Sequence, residues 1–396
     1  MEKKDIIKKF LEFGYQLDNE SLDFFNKNPN KINIFLNEIK NKKIEDKVIK
    51  FDFIKSFPFQ KNKIEIFKQL KEKEKSYIVE DYVQFFNSRY EKIKKILSTR
   101  FELINLLSIN KISEKTTTFS IIGMVKEKNE NEKYILIEDN TGELIVYFDE
   151  NSFKKYKDIV EDEIIGLLCK KENNIIKIKN IIFPDISLKR EINKIKDDVF
   201  CFFISDLHMD NKIFNKKAYE NFLQWIKEFK NKLYIFIIGD VSSKKEDILD
   251  FFSCLPSNIF KVYQKGEIDP NFDIGDLNIT NPSMLKVEDN ITIFLYHGNI
   301  LTEYLKIWNT QPEILLLNLL KKRNMNPIFK FNKKIYEEDV FLLDTVPDII
   351  VTGHLHTPGM VNYKGTTIIS NGSFITQPIF WMVNLKTRET IKMDFT

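Results

Sequence analysis

The chain has 396 residues and a formal net charge of +3, with 43% hydrophobic and 30% charged residues. This composition predicts a folded protein of two or three domains, and the near-neutral charge excludes a polycation that binds nucleic acid through bulk charge alone. No apolar run approaches the roughly 20 residues of a membrane span, and the N-terminal residues lack the apolar stretch of a signal peptide. The three cysteines are far apart, which disfavours a disulfide framework or a zinc cluster. We therefore expect a cytoplasmic protein with no membrane contact.

Residues 1–75 are predicted to form a small helical region followed by a linker. Apolar residues recur at helical spacing up to Leu17, Gly14 interrupts this run, and Asp18 is placed to cap a second short helix. Residues 26–75 are rich in Lys and Asn, a composition typical of a linker with little fixed structure.

A connecting helix is predicted within residues 76–115, over 80–107. Its apolar face is formed by Tyr82, Phe85, Phe86, Tyr90, Ile93 and Leu97. The opposite face is rich in lysine, and we favour simple solvation of that face over nucleic-acid binding.

Residues 116–190 change to the period-two alternation of β-strands. The strand-like runs are 119–125, 134–137, 143–148, 163–168 and 175–179. Five short strands in this length predict a small Greek-key barrel, the OB-fold. OB barrels bind single strands through basic grooves and exposed aromatic residues, whereas this segment is net acidic and has few aromatic residues. We therefore favour a scaffolding or protein-docking role over tight binding of a strand.

Residues 198–396 alternate buried-strand patterns with helical stretches, which predicts an α/β domain of layered sheets and helices. The predicted strands are 199–204, 233–238, 291–296, 349–351 and 366–370, with a helix over 215–229. Residues that can bind metals follow several of these strands. In chain order they are Asp206, His208, Asp240, His297, His354 and His356, and a further candidate loop carries Glu267 and Asp269. Ligands in open α/β sheets bind outside the carboxyl ends of the strands, so these side chains are predicted to form a metal site.

All four histidines of the chain belong to this set. A single histidine is more often a core or surface residue than a ligand, but four at strand ends favour a common site. His354 and His356 are two residues apart, so their side chains point to the same side of an extended segment. Asp and His suit Mn²⁺, Fe²⁺ or Zn²⁺, and two such ions can activate a water and neutralise the charge of a phosphate ester.

The order of these motifs resembles the calcineurin-like metallophosphoesterase superfamily, whose blocks run Asp-x-His, Gly-Asp, Gly-Asn-His-Asp/Glu, His-Gly and Gly-His-x-His. More narrowly, the chain resembles the small subunits of archaeal family-D DNA polymerases, through segments outside the metal motifs. These segments are 81–97, 183–186, 281–283, 343–349 and 363–365.

The resemblance implies an OB domain joined to a phosphoesterase domain that carries a 3′–5′ proofreading exonuclease. It assigns two divalent metal ions, with Mn²⁺ favoured over Fe²⁺ or Zn²⁺, and Asp240 as the bridging ligand. The seven ligands that it implies are Asp206, His208, Asp240, Glu267, His297, His354 and His356. It also implies a heterodimer with the large catalytic subunit of the polymerase, contact with a DNA primer-template, and access to the sliding clamp through that complex.

The chain departs from the family pattern where substrate is handled. Glu267 stands where the family has a ligating Asn, and Ile268 stands where it has a His thought to protonate the leaving oxygen. Loss of a general acid typically costs about 10²–10⁴-fold in rate. Ser243 and Asn324 replace a further Asp and a further His of the family.

Three hypotheses follow from these motifs. The first, slightly favoured, is an active exonuclease subunit. The second is a structural polymerase subunit whose nuclease activity is weak or lost because of Ile268. The third, a stand-alone phosphoesterase, is disfavoured by the barrel and the connecting helix. Asp269 or Lys265 could substitute for the missing acid.

Overall fold

The structure is a computed structural model, and it divides into two compact units. It describes residues 3–29, 32, 35, 36, 39, 47–56, 63–71, 77–274 and 277–396. The first unit comprises Met1–Ile64, Ile195–Ile279 and Ser373–Thr396, and the second comprises Glu65–Lys194 and Thr280–Gly372. Residues 198–396 therefore contribute to both units.

Helices and strands alternate irregularly along the chain. The α-helices with described bounds are α1 (Lys3–Glu12), α2 (Asn19–Lys27), α3 (Phe51–Ser56), α4 (Val79–Leu97), α5 (Lys216–Glu228), α6 (Lys245–Cys254), α7 (Leu301–Trp308) and α8 (Pro312–Lys321). The first strands are β1 (Gln16–Leu17), β2 (Val48–Ile49), β3 (Ile64–Gln69), β4 (Thr118–Asn129), β5 (Tyr134–Asp139), β6 (Gly142–Phe148), β7 (Ile164–Glu172) and β8 (Ile175–Ile182). The remaining strands are β9 (Val199–Ile204), β10 (Lys232–Ile238), β11 (Phe260–Gln264), β12 (Leu277–Ile279), β13 (Ser283–Val287), β14 (Ile291–Tyr296), β15 (Ile349–Thr352), β16 (Gly359–Tyr363), β17 (Thr366–Ser370), β18 (Ile379–Asn384) and β19 (Thr390–Asp394).

The N-terminal helices of the first unit begin and end where local sequence signals favour it. Gly14 follows α1 with a φ of +82°, a conformation that glycine adopts without steric cost. The Asp18 carboxylate accepts the backbone N–H of Ser21 at 2.8 Å, so the predicted cap of α2 is confirmed. Its other oxygen accepts the N–H of Phe51 at 3.1 Å, which ties α3 to the same residue.

The prediction that residues 26–75 have little fixed structure is wrong for their described part, which includes α3 and β3. Ile32, Phe35, Leu36 and Ile39 are buried, and the ring of Phe35 lies 5.2 Å from the ring of Phe25. These four residues recur at helical spacing, and the abundant lysines between apolar positions obscured that pattern.

The sheet of the first unit has the strand order β12-β11-β10-β9-β18-β19. Strands β9 to β12 run parallel to one another, and β18 and β19 complete the sheet in antiparallel pairings. The predicted helix over 215–229 is α5, which is capped by the Asn215 side chain accepting the Ala218 N–H at 3.0 Å. Because the parallel strands share one carboxyl edge, the residues that follow them are brought together.

The second unit contains a six-stranded sheet and a closed barrel. The sheet has the order β16-β17-β15-β14-β13-β3, and the barrel has the order β4-β5-β6-β8-β7. The five strands predicted for residues 116–190 are all present. Buried ion pairs join the barrel and α4 to the rest of this unit: Lys322 contacts Glu163 at 2.7 Å, and Arg89 contacts Asp339 at 2.7 Å.

The connecting helix α4 ends at Leu97, ten residues before the predicted end. The Ser98 and Thr99 hydroxyls donate to the carbonyls of Lys94 and Ile96 at 2.7 and 2.8 Å. Such local hydrogen bonds from hydroxyl side chains compete with continuation of the helix. None of the helices that the structure describes is both long enough and apolar enough to cross a membrane.

Candidate metal centre

The ligand residues predicted in the first unit lie at the carboxyl edge of its parallel strands. Asp206 and His208 follow β9, and Asp240 follows β10. The backbones of the two loops are hydrogen-bonded, because the N–H of Asp206 donates to the Gly239 carbonyl and that of His208 to the Asp240 carbonyl, both at 3.0 Å. The two strands and these bonds therefore fix the positions of three predicted ligands.

The side chains of these three residues converge. His208 Nε2 lies 3.9 Å from Asp206 Oδ1 and 4.0 Å from Asp240 Oδ2, and both carboxylates are buried. These separations exceed a hydrogen bond but suit atoms that share an ion at about 2.0–2.2 Å. Buried carboxylates are typically paired or coordinate metals, so this donor set fits a divalent cation.

The backbone at most of the predicted ligands is strained. Five of the seven have a left-handed φ between +48° and +64°: Asp206, His208, Asp240, His354 and His356. This region costs an L-residue about 1–2 kcal/mol and is uncommon outside glycine. Such strain clusters at functional sites, where the surrounding structure over-determines it. The sequence carries no signal for this feature.

Asp269 organises the same edge through the backbone. Its carboxylate accepts four N–H groups, from Val241, Asp240, Gly266 and Ser242, at 2.7, 2.9, 2.9 and 3.2 Å. Burial raises the pKa of Asp269, although these amides favour its charged form. Both oxygens are engaged in holding the loop after β10, so the hypothesis that Asp269 replaces the missing acid is not supported.

Gly266 is required by the close approach of this loop to Asp240. A Cβ at position 266 would lie 2.2 Å from Asp240 Oδ1 and 2.3 Å from its backbone nitrogen. The N–H of Ile268 donates to Asp240 Oδ1 at 3.1 Å, so the backbone of this segment also orients the predicted bridging ligand. The Ile268 side chain itself is 37% exposed.

Glu267 differs from the other predicted ligands of the first unit. It is exposed, whereas Asp206 and Asp240 are buried and His208 is half-buried. Its assignment as a ligand therefore rests on the family resemblance and not on a contact in the structure.

Asp210 is a residue of this edge that sequence reasoning missed. It accepts a hydrogen bond from the Ser243 hydroxyl, the group at the position where the family carries an Asp. Burial raises the pKa of Asp210, but the hydrogen bonds from Ser243 outweigh it and bring the pKa below its ordinary value. A signal was present, since Asp210 completes an alternating Asp-x-His-x-Asp series with Asp206.

The ligand residues predicted in the second unit lie at the carboxyl edge of three parallel strands, β14, β15 and β17. The ring centroids of His297 and His354 are 5.2 Å apart with the planes at 74°, and His297 is buried. The His297 N–H donates to Asn281 Oδ1 at 2.9 Å, and its carbonyl accepts the Gly353 N–H at 3.0 Å. These bonds hold the loops after β14 and β15 together, as at the edge of the first unit.

Asn371 follows β17 at this edge and was also missed. Its side chain is fully buried, and neither of its polar atoms is hydrogen-bonded within the part of the chain that is described. A buried amide side chain usually has a hydrogen-bond partner. Asn371 is therefore a candidate to bind a metal or substrate at the edge where the histidines lie. Asparagine is common in loops, so the sequence alone did not distinguish it.

Segments that carry the polymerase-subunit resemblance contact one another in the second unit. Asp185 accepts hydrogen bonds from the Tyr363 hydroxyl at 3.0 Å and the Lys364 ammonium at 2.6 Å. Arg323 is buried and donates to the Leu343 carbonyl at 2.6 Å, and burial lowers its pKa to about 10. The neighbouring Asn324 is buried as well. These contacts join segments of the second unit that lie far apart in the sequence.

Comparison with known proteins gives relatives of one kind. No family model matches the chain. The DNA polymerase II small subunit of Archaeoglobus fulgidus is 26% identical over 355 residues, covering 76% of this chain and 72% of that protein. The small subunit of Methanothermobacter thermautotrophicus is 27% identical over 360 residues, covering 76% and 74%. The chain is a homologue of the archaeal DNA polymerase II small subunits.

Two solved structures similar to this chain each cover about half of it. A novel archaeal phosphodiesterase is 14% identical with a TM-score of 0.33, covering 49% of this chain and 99% of that one. Vps29 of Entamoeba histolytica complexed with Zn²⁺ is 15% identical with a TM-score of 0.30, covering 50% and 99%.

Proposed function

We propose that the chain is the small subunit of a replicative DNA polymerase and that it carries a two-metal 3′–5′ exonuclease site. The observation that carries this proposal is the set of Asp and His residues at the strand ends, most of them with a left-handed backbone and with Asp206, Asp240 and His297 buried, in a homologue of polymerase small subunits. In the proposed site the seven predicted ligands bind two divalent cations, with Asp240 bridging and Mn²⁺ favoured over Fe²⁺ or Zn²⁺.

The chemistry of the site divides between the ions and the chain. Two bound cations supply an activated water and neutralise charge on the scissile phosphodiester. The chain's own part is to hold the donors: His208 and the two buried carboxylates on one edge, and the histidines on the other. The Ile268 N–H fixes one oxygen of Asp240, which keeps the bridging carboxylate oriented.

A second candidate function is a structural polymerase subunit with weak nuclease activity. Ile268 favours it, because an exposed aliphatic side chain cannot donate a proton to a leaving oxygen. Asp269 cannot take over that task, since its oxygens bind backbone amides. Loss of the general acid lowers the rate by about 10²–10⁴-fold while leaving metal binding intact.

Digestion of a 5′-labelled single strand with Mn²⁺ separates the two candidates. We expect slow digestion by the wild-type chain, none by Asp240→Ala, and faster digestion by Ile268→His. No digestion by the wild type with gain of activity in Ile268→His would identify the structural subunit. Equal digestion by Asp240→Ala and the wild type would show that the proposed metal site is not responsible.

We also propose that the barrel is an OB-fold. Its order β4-β5-β6-β8-β7, the parallel pairing of β6 with β8, and the short helix Ser152–Asp158 between β6 and β7 support this assignment. Its acidic character favours a docking role toward protein over strand binding. The partners of the proposed subunit are the large catalytic subunit, a DNA primer-template and, through the complex, the sliding clamp.

Co-expression with the cognate large subunit tests the heterodimer. We expect the two chains to elute together in gel filtration. An elution volume of this chain that is unchanged by the large subunit would contradict a role in the polymerase.

A further inference from the structure

A cleft of about 530 Å³ lies in the second unit, between α4 and the barrel. One side is formed by the N-terminal half of α4, and the other by the end of β5 and the turn that follows it. The cleft is separate in sequence from the predicted ligand positions.

The α4 side of the cleft is apolar and preformed. Val79 and Val83 are 74% and 54% exposed. Tyr82 and Phe86 lie beside them, and both rings pack edge-on against Phe329, at 6.1 and 5.1 Å. Because Phe329 already restricts these two rings, they lose little conformational entropy when a partner binds. Aromatic side chains of this kind are typical of interface hot spots.

The barrel side of the cleft is acidic. Glu138, Asp139 and Asp162 line it, and among the described lining residues there is no Lys, Arg or His. Lys126, outside the lining, contacts the Glu138 carboxylate at 3.4 Å. Asp139 is fixed by the N–H groups of the following turn, and one oxygen of Asp162 accepts the Phe329 N–H at 2.9 Å. Both carboxylates are therefore fixed in position at the cleft.

These two sides determine the chemistry of the occupant. A nucleic-acid strand is disfavoured, because three carboxylates repel phosphates. A polypeptide with an apolar anchor beside a positive charge matches both sides, since opposite potentials across an interface give specificity. Scattered exposed apolar residues need no explanation, but two valines next to a fixed aromatic pair and a fixed acidic rim form a contiguous surface.

We propose that this cleft binds a segment of the polymerase large subunit that carries an aromatic or branched aliphatic anchor next to a Lys or Arg. This inference rests on the proposed function and identifies the surface through which the partner is held. The anchor packs on Val83 and the Tyr82–Phe86 pair, and the cation faces Glu138.

Overlapping labelled peptides that cover the large subunit, titrated with the full chain and followed by fluorescence anisotropy, test the proposal. We expect binding by one or a few peptides with an apolar anchor and a basic residue. Val83→Glu should weaken that binding by at least tenfold, and Glu138→Lys should weaken it by a similar factor. Gln84→Glu is the matched control, because it adds the same charge at the neighbouring exposed position outside the cleft lining, and it should leave the affinity unchanged.

The outcomes separate failure of this inference from failure of the proposed function. A complex with the whole large subunit that forms equally well with Val83→Glu, Glu138→Lys and the wild type would overturn the cleft and leave the subunit role intact. Absence of any complex with the wild type would overturn the subunit role itself. A wild-type homodimer that Val83→Glu dissociates, or a labelled single strand whose binding Val83→Glu abolishes, would assign the cleft to a different occupant and overturn the proposal.

Discussion

Two loops at the same edge of the first unit's sheet differ in how closely they match the family pattern. The loop after β9 keeps Asp206 and His208, both strained and held by backbone bonds to the next loop. The loop after β11 keeps Gly266 and Asp269, which hold the backbone, but carries Ile268 where the family carries a His. The residues that fix the loop backbones, which form the frame of the proposed metal site, are present in both loops, whereas Ile268 offers no proton donor. We expect frame and chemistry to be separable in this fold, and the following variants test that separation.

The largest effect is expected for Asp240→Asn. Asn tolerates the left-handed backbone and can still accept the Ile268 N–H, but it removes the charge of the proposed bridging ligand. We expect Mn²⁺ affinity, measured by isothermal titration calorimetry, to fall by 100-fold or more with little change in the melting temperature. The control is Glu246→Gln on α6, which removes a carboxylate charge away from the ligands. Equal affinities for Asp240→Asn and the control would refute the assignment.

The second largest effect is expected for Asp269→Asn. This substitution alters a residue that holds the loop backbones and leaves all predicted ligands unchanged. An amide nitrogen would face backbone N–H groups that now donate to a carboxylate, leaving buried donors unsatisfied. We expect the free energy of unfolding to fall by about 2–3 kcal/mol in urea denaturation. Mn²⁺ affinity should fall by about 10–100-fold, as for other residues that orient ligands.

The control for Asp269→Asn is the same substitution at Asp250, an exposed residue of α6. Asp250→Asn should alter the unfolding free energy by less than about 0.5 kcal/mol, as surface substitutions usually do. If Asp269→Asn proves as stable as Asp250→Asn, the four backbone contacts of Asp269 contribute nothing measurable and the frame is held by the strands alone.

The strand pattern and the placement of the candidate ligands at strand ends were predictable from sequence, but the backbone contacts of the frame were not. Buried strands such as β9 and β10 are continuous apolar runs, and histidine is rare enough in this chain for its placement to carry information. Asp269 contacts the backbone of residues nearly thirty positions earlier, and such tertiary bonds to main-chain groups leave no periodic trace. The fixed structure in the described part of residues 26–75 was missed for a related reason. Lysines outnumber the buried positions there, so the apolar periodicity is hard to recognise.

A moderate effect is expected for Asn281→Ala in the second unit. This substitution removes the acceptor of the His297 N–H and leaves a buried donor unpaired. We expect a loss of about 1–3 kcal/mol in the free energy of unfolding. Mn²⁺ affinity should fall by less than with Asp269→Asn, because the bond to Gly353 still holds the loop. Asn281→Asp, which keeps an acceptor oxygen, should recover most of the lost stability, and failure to do so would point to a role for the amide nitrogen.

The smallest effect is expected for Ile268→Val. The contribution of this residue to the frame is its backbone N–H, which the substitution retains, and its side chain is partly exposed. Stability, Mn²⁺ affinity and any digestion of a labelled strand should therefore match the wild type, with a stability change within about 0.5 kcal/mol. Ile268→Val and Ile268→His both keep the backbone N–H that contacts Asp240, but only the histidine can donate a proton. A gain of activity in Ile268→His alone therefore points to proton donation and not to positioning of Asp240. If Ile268→Val also changes the digestion rate, the isoleucine side chain itself contacts substrate, and position 268 has acquired a binding role in place of the acid.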